Sequence, residues 1–105
     1  MNVVISAVFA KTWREKSQGL LGKQNAYALY FETRWGIHTI SMKFPIDVVI
    51  LDDQNRAAVL KRDLEPNRFM WWNPRYKKVL ELPAGTIRAK KIVQETSIDL
   101  KFEEK

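Results

Sequence analysis

The stretch "IDVVILDDQNRAAVLKR", residues 46–62, predicts the β-hairpin around which the rest of the fold is organised. Its first arm, "IDVVIL", is rich in β-branched residues, and the polar segment "DDQN" separates it from the second arm, "AAVLKR". Asn55 stands near the end of the turn, where asparagine tolerates a positive φ. We therefore expect two antiparallel strands joined by a four-residue loop.

The preceding segment "GIHTISMKF", residues 36–44, has the alternation of another strand and ends at a proline. Alternation predicts that His38 shares a face with Ile40, whereas Ile37 and Thr39 point to the opposite side. The proline cannot donate a backbone hydrogen bond, so we expect an edge, a bulge or a bend before the hairpin.

A helix is predicted near the N-terminus, between two strand-like segments. "NVVISAVFA" indicates a first strand, and Thr12 and Glu15 then form a T-x-x-E capping box. A helical apolar stripe follows, and Gly22 suits the end of the helix. We predict one short helix at about residues 12–21.

The rest of the chain consists of short predicted strands joined by turns. The strand-like segments are "AYALYFET", "VLELPAG" and "SIDLKF", and we predict a long loop at residues 63–78. The segment "TIRAKKIV" is compatible with either a short helix or a strand. We predict a single domain over residues 1–105. Its fold class is mostly β: a small barrel-like, strongly curled antiparallel or mixed sheet with the short N-terminal helix.

Composition narrows the functional classes. The 105 residues include no cysteine, which excludes disulfides, thiolate zinc sites and thiol catalysis and favours a reducing, cytoplasmic location. No apolar run approaches the ~20 residues needed to cross a bilayer, so we expect no membrane insertion. The net charge of +6 favours an anionic partner.

Several segments in the same order resemble the family called domain of unknown function 192 (DUF192). They are "AKTWRE", "GLLGK", "ALYF", "HTISMKFPIDVVILD" and "VLELPAGTI". The resemblance implies a compact, mostly β, barrel-like fold and brings no agreed activity. The positions that match the family pattern are Gly19, Leu20, Gly22, His38, Met42, Pro45, Asp47, Glu81, Pro83 and Gly85.

The chain departs from the family pattern at a few positions. Leu21 and Lys23 replace the usual methionine and arginine, and "QETSI" stands where a Gly-Asp turn is common. Many members of the family look exported, whereas this chain begins almost at its first predicted strand. The comparison therefore also favours a cytoplasmic form.

His38 and Asp47 are the candidate catalytic residues, and both are weak candidates. Thr39 lies at an odd separation from His38 and so on the opposite face of the strand, which excludes it as a local nucleophile. Acid-base chemistry would need a carboxylate from beyond the proline, for which Asp47, Asp52 and Glu81 are available. If Asp47 is instead buried, its carboxylate needs a cationic partner, and Arg14, Lys43 or Arg88 could serve as one. We expect structural pairing and lean away from an enzyme.

No metal or cofactor is predicted. A single histidine with scattered carboxylates lacks the clustered ligands of zinc and calcium sites. The segment "NRFMWWNPRYKK", residues 67–78, instead interleaves aromatic and basic residues. This composition suits a protein interface, a base-stacking surface or a lid over the core.

We therefore predict a ligand- or partner-binding module whose site lies near the hairpin and this loop. The predicted binding residues are His38, Met42, Asp47, Arg68, Trp71, Trp72, Arg75 and Tyr76. The partner would be a protein or a small anionic ligand. The alternatives are a hydrolase-like acid-base enzyme using His38 and Asp47, and nucleic-acid binding through residues 68–78.

Overall fold

The computed structural model describes residues 2–9, 28–40 and 42–103. The helix predicted at about 12–21 lies outside these ranges. The described strands are β1 (Asn2–Phe9), β2 (Ala28–Glu32), β3 (Ile37–His38), β4 (Ile46–Leu51), β5 (Ala57–Leu64), β6 (Phe69–Met70), β7 (Lys78–Pro83) and β8 (Ser97–Phe102). A short helix, α1 (Thr86–Ala89), lies between β7 and β8.

Six of these strands form one mixed sheet in the order β5-β4-β7-β2-β1-β8. β1 runs parallel to both β2 and β8, and the other neighbours are antiparallel. β3 and β6 pair with each other as a separate antiparallel ribbon. The prediction of a mostly β fold with an antiparallel or mixed sheet is confirmed.

The barrel-like closure and strong curl expected from the sequence are not confirmed. β5 and β8 are the two edges of the sheet in the described part of the chain. They approach each other only where β5 and β8 begin: Arg56 and Ser97 form an isolated bridge there, and three backbone hydrogen bonds join residues 55–57 to residues 95–98. A single bridge does not join the remaining lengths of β5 and β8, so the sheet is open.

The hairpin predicted at residues 46–62 is confirmed as β4 and β5. Asn55 has a φ of 59°, as its place in the turn requires. The Asp52 carboxylate accepts the backbone N–H groups of Gln54 and Arg56 and pairs with the Arg56 guanidinium at 3.0 Å. Partial burial acts to raise the pKa of Asp52, but these donors outweigh it and hold the pKa below its ordinary value.

All six residues of β4 are buried, because both faces of this strand are covered. Val49 and Leu51 pack into one apolar cluster, which also contains Ile87 of α1. Val48 and Ile50 pack into a second cluster, which also contains residues of β3 and β6. Since successive side chains of a strand point to opposite faces, α1 and the β3–β6 ribbon cover opposite faces of the sheet.

The alternation predicted for residues 36–44 is observed over residues 37–40, but the long strand predicted there does not form. Ile37 and Thr39 are the buried residues, His38 is half-buried and Ile40 is exposed. The prediction assumed a long strand, whereas β3 has only two residues. The backbone of Thr39 leaves the strand to hydrogen bond with the connection between β5 and β6.

The predicted loop at residues 63–78 is also shorter than expected. β5 continues through Leu64, Phe69–Met70 forms β6, and Lys78 begins β7. β6 has two residues, and only Met70 is buried. A strand this short has no run of alternating apolar residues by which the sequence could indicate it.

The segment "TIRAKKIV" forms α1 and a tight C-terminal turn. Lys91 has a φ of 56°, its N–H donates to the Arg88 carbonyl, and the Ile92 N–H donates to the Ile87 carbonyl. This is the Schellman arrangement, and the accompanying apolar contact joins Ile87 and Ile92 in the first cluster. Glycine is the residue favoured where Lys91 stands.

We predict that Lys91→Gly raises the free energy of unfolding by about 0.5 to 1 kcal/mol, because glycine adopts the left-handed conformation without the cost that lysine bears. Lys90→Gly is the matched control, since Lys90 has a φ of −94° and gains nothing from glycine. Urea denaturation measures both variants. A Lys91→Gly variant that is no more stable than Lys90→Gly would contradict this account of the turn.

Candidate functional site

Thr39 ties β3 to the connection that leads into β6. Its side-chain hydroxyl donates to the Glu65 carbonyl at 2.6 Å and accepts the Arg68 N–H at 2.9 Å. Its backbone N–H donates to the Arg68 carbonyl, and its carbonyl accepts the Asn67 N–H. This role was not predicted from the sequence, although a polar β-branched residue inside an apolar run is the signal for it.

Three aromatic rings line the solvent side of this ribbon, namely His38, Phe69 and Trp71, which we call the aromatic surface, and Trp35 is exposed two residues before β3. Trp35, Phe69 and Trp71 are 82%, 56% and 69% exposed. The Phe69 and Trp71 rings stack with centroids 5.6 Å apart and planes 13° apart. The His38 ring lies against Phe69 at 5.9 Å. The rings on β3 and β6 therefore form a contiguous, preorganised surface.

Gly36 makes this arrangement possible. It has a φ of 89°, and a Cβ atom there would lie 2.7 Å from the Met70 carbonyl oxygen and 2.8 Å from Cδ1 of Trp71. Any other residue would clash with the backbone of β6 and displace the Trp71 ring. Glycine therefore allows the Trp71 indole to lie directly against the chain that carries Trp35.

Trp72 has a different role from Trp71. It is half-buried and packs against the second apolar cluster, and its indole Nε1–H donates to the Tyr76 carbonyl at 2.9 Å. Tyr76 and Met42 also pack on that cluster. Met42, Trp72 and Tyr76, three of the predicted binding residues, therefore pack on the core that underlies the aromatic surface. Their neighbour Trp71 faces solvent.

Basic side chains accompany the aromatic surface. Arg68 directly precedes Phe69 and is exposed. The Arg75 guanidinium lies 5.6 Å from the centre of the Tyr76 ring. Arg34 donates through Nη1 to the carbonyls of Pro74 and Arg75, at 2.7 and 3.1 Å, and so holds this loop in place. The structure thus places His38, Arg68 and Trp71 on the exposed side of the ribbon.

Asp47 lies on the other face of the sheet. It is fully buried, and its carboxylate accepts three backbone N–H groups. Oδ1 accepts from Asp63 at 3.0 Å, and Oδ2 accepts from Gly85 at 3.1 Å and from Ile87 at 2.9 Å. Arg88 and Lys43, two of the partners expected from the sequence, form no ion pair with Asp47, and backbone amides hold the buried carboxylate instead. Arg14, the third expected partner, lies outside the described residues.

A β-bulge brings one of these amides to Asp47. Ile46 pairs with Leu64 and Val48 pairs with Lys61, so two residues of β5 stand opposite Asp47 alone. Asp63, the second of them, has a φ of 53° and donates its N–H to Asp47. Asp47 therefore holds β5 and the start of α1 together.

The hydrogen bonds of His38 and Asp47 go to different parts of the fold. His38 Nδ1 accepts the Ile40 N–H at 3.2 Å, so a neutral ring carries its proton on Nε2. Asp47 is saturated by amides of β5, Gly85 and α1. A catalytic pair of these two residues stays a prediction that these contacts do not favour.

The described residues offer neither a metal site nor a membrane-spanning helix. No group of three or more His, Cys, Asp or Glu side chains there is arranged to hold a metal ion. The same ranges include no helix of sufficient length and apolarity to cross a membrane.

The fold and this surface define a small, mostly β domain built on an open mixed sheet. The chain belongs to the DUF192 family, described as an uncharacterized ACR, whose family model matches residues 1–100. No curated protein matches the sequence.

Two crystal structures share the fold. One is "a protein of unknown function" from Novosphingobium aromaticivorans, with a TM-score of 0.68 and 15% identity over 85% of this chain and 70% of that one. The other is "a putative transcription regulator" from Sinorhizobium meliloti, with a TM-score of 0.65 and 16% identity over 85% of this chain and 76% of that one. At these identities the likeness concerns the fold alone.

We predict that Asp47→Asn lowers the free energy of unfolding by about 3 kcal/mol, because the amide offers one acceptor oxygen and leaves a buried backbone N–H without a partner. Asp53→Asn, in the exposed hairpin turn, is the control and should change stability by less than about 0.5 kcal/mol. Urea denaturation compares the two. A loss below about 1 kcal/mol for Asp47→Asn would show that the three hydrogen bonds are unimportant.

We also predict opposite roles for the two adjacent tryptophans. Trp72→Ala should cost about 2 to 3 kcal/mol of unfolding free energy, since it opens a cavity beside the second cluster. Trp71→Ala should cost less than about 1 kcal/mol, because the ring is largely exposed. Equal losses measured by thermal and urea denaturation would refute this division.

Proposed function

We propose that this DUF192 domain is a non-enzymatic binding module that holds a partner protein on its aromatic surface. The observation that carries the proposal is the stacked, exposed pair Phe69 and Trp71 on either side of the buried Met70. Contiguous exposed apolar surface of this kind marks interaction sites.

The composition of the surface favours a protein partner. Tryptophan and arginine are the residues that most often dominate protein interfaces, and Trp71 of the surface is close in sequence to the exposed Arg68. The ribbon is fixed by Thr39 and by the buried Met70, so little side-chain and backbone entropy is lost on binding. With a net charge of +6, the domain would suit a partner whose apolar patch is bordered by acidic side chains.

Single-stranded nucleic acid is the second candidate. Exposed aromatic rings beside arginine stack bases without strong sequence preference, which Phe69, Trp71 and Arg68 would allow. The Sinorhizobium meliloti structure described as "a putative transcription regulator" shares the fold. Such binding would weaken steeply with added salt.

Catalysis by His38 and Asp47 is the remaining alternative. A mechanism would need the two groups to meet at one substrate, and their hydrogen bonds lie on different elements. The absence of cysteine suits a reducing compartment, and we propose that the module acts in the cytoplasm.

The test compares the wild-type domain with Phe69→Ala/Trp71→Ala in affinity capture from a lysate of the source organism. Proteins that the wild type retains are identified, purified and titrated directly. We expect the double variant to weaken binding by about thirtyfold or more, as the loss of central interface residues does.

Phe102→Ala is the matched control, because Phe102 is an aromatic residue of β8 with 54% exposure, away from the β3–β6 ribbon. It should bind as the wild type does. Capture that is equal for the wild type and the double variant would contradict the proposal. A salt-sensitive titration with single-stranded oligonucleotides and no protein partner would replace it with the nucleic-acid function.

A further inference from the structure

A groove lies between β5 and α1, on the face of the sheet opposite the aromatic surface. It consists of two adjoining hollows of ≈ 540 and ≈ 570 Å³, and Leu60, Arg62 and Arg88 line both of them. Each hollow is within the size range of small-molecule sites, which is roughly 300 to 1,000 Å³.

The rim of this groove is basic. Lys61 lines the first hollow, Lys91 lines the second, and Arg62 and Arg88 lie between them. Across the described residues none of these four side chains forms an ion pair or a hydrogen bond, whereas Arg56 and Lys77 elsewhere on the surface are paired with carboxylates. Unpaired cations around a concave surface attract and hold anions.

Two carboxylates also line the groove, and they do not cancel its charge. The Asp47 carboxylate is fully buried, and three backbone N–H groups stabilise its charge. Asp47 and the exposed Asp63 together contribute two negative charges against the four cations. The groove therefore keeps a net positive charge.

The walls are built by features that also orient the cations. The β-bulge opposite Asp47 contains Arg62, and a bulge redirects the side chains of its strand. Asp47 holds this bulge and the start of α1 at a fixed separation. Lys91 has a left-handed backbone conformation that glycine would adopt more favourably. The lysine therefore lowers the stability of the turn while it places a positive charge on the rim of the groove.

The second hollow is apolar below its rim. Ile87 and Ile92 line it together with Val93, which is exposed. A ligand suited to both parts would carry phosphate groups for the arginines and an apolar or aromatic body for this floor. Arginine guanidinium groups bind phosphate oxygens in pairs, which favours phosphate over a single carboxylate.

We propose that the groove between β5 and α1 binds a small phosphorylated molecule of the nucleoside diphosphate class. The phosphates lie between Arg62 and Arg88, with Lys61 and Lys91 at either end, and the base or another flat apolar body rests on Ile87, Ile92 and Val93. This site is independent of the partner surface proposed above, since it lies on the opposite face of the sheet and shares no residue with it.

The experiment is an NMR titration of the full chain with ADP, with pyrophosphate and with adenosine. We expect saturable shifts of the Arg62 and Arg88 side-chain Nε–H signals with ADP, and about tenfold weaker binding of pyrophosphate, which lacks the apolar body. Adenosine alone should bind weakest, because it lacks the phosphates.

Arg62→Ala/Arg88→Ala should weaken ADP binding by about tenfold or more, and both exposed side chains can be removed without loss of a structural contact. Arg68→Ala/Arg75→Ala is the control, as it removes the same charge from the other face and should leave ADP affinity unchanged. This control pair also separates the two proposals, because it bears on the aromatic surface alone.

Three results would overturn the proposal. One is the absence of saturable ADP binding at millimolar concentration. Another is an equal loss of affinity in the two double variants, which would mean attraction to net charge only. The third is equal affinity for ADP and pyrophosphate. It would show that the apolar residues of the second hollow do not contribute to binding, and it would exclude a nucleoside diphosphate as the preferred ligand.

Discussion

The Asp47 carboxylate and its three backbone donors are the interaction on which the rest of the structure depends. Asp47 lies in β4, a strand buried along its whole length, where an unmatched charge would be strongly unfavourable. Its two oxygens reach the bulge of β5 through Asp63 and the start of α1 through Gly85 and Ile87. A single side chain thus fixes how β5 and α1 lie on one face of the sheet.

The complete burial of β4 also separates the two surfaces that we propose bind other molecules. α1 and the basic groove lie on the face that Asp47 stabilises, and the β3–β6 ribbon with its aromatic rings lies on the opposite face. Each surface is held by a buried polar residue, Asp47 in one case and Thr39 in the other. Because the two surfaces share no residue, side chains of one surface can be substituted without disturbing the side chains of the other.

The sequence predicts the parts of the fold that depend on local pattern. The β4–β5 hairpin follows from its β-branched arm and the turn at Asn55, and composition alone marks the segment around Trp71 as the region that we propose binds a partner. What fails depends on tertiary structure. Alternation over residues 36–44 predicted a long strand where β3 has only two residues, and composition cannot distinguish the exposed Trp71 from the half-buried Trp72. The partners of Asp47 were missed because the bulge and the entry to α1 form only when distant segments pack together.

Backbone amide hydrogen exchange at Asp63, Gly85 and Ile87, followed by NMR, tests the central claim most directly. Each of these three amides donates its hydrogen bond to the Asp47 carboxylate, so this bond is what should slow its exchange. The account predicts exchange as slow as that of the β4 amides, which open only with global unfolding. Exchange as fast as that of the Asp53 amide in the exposed hairpin turn would contradict it.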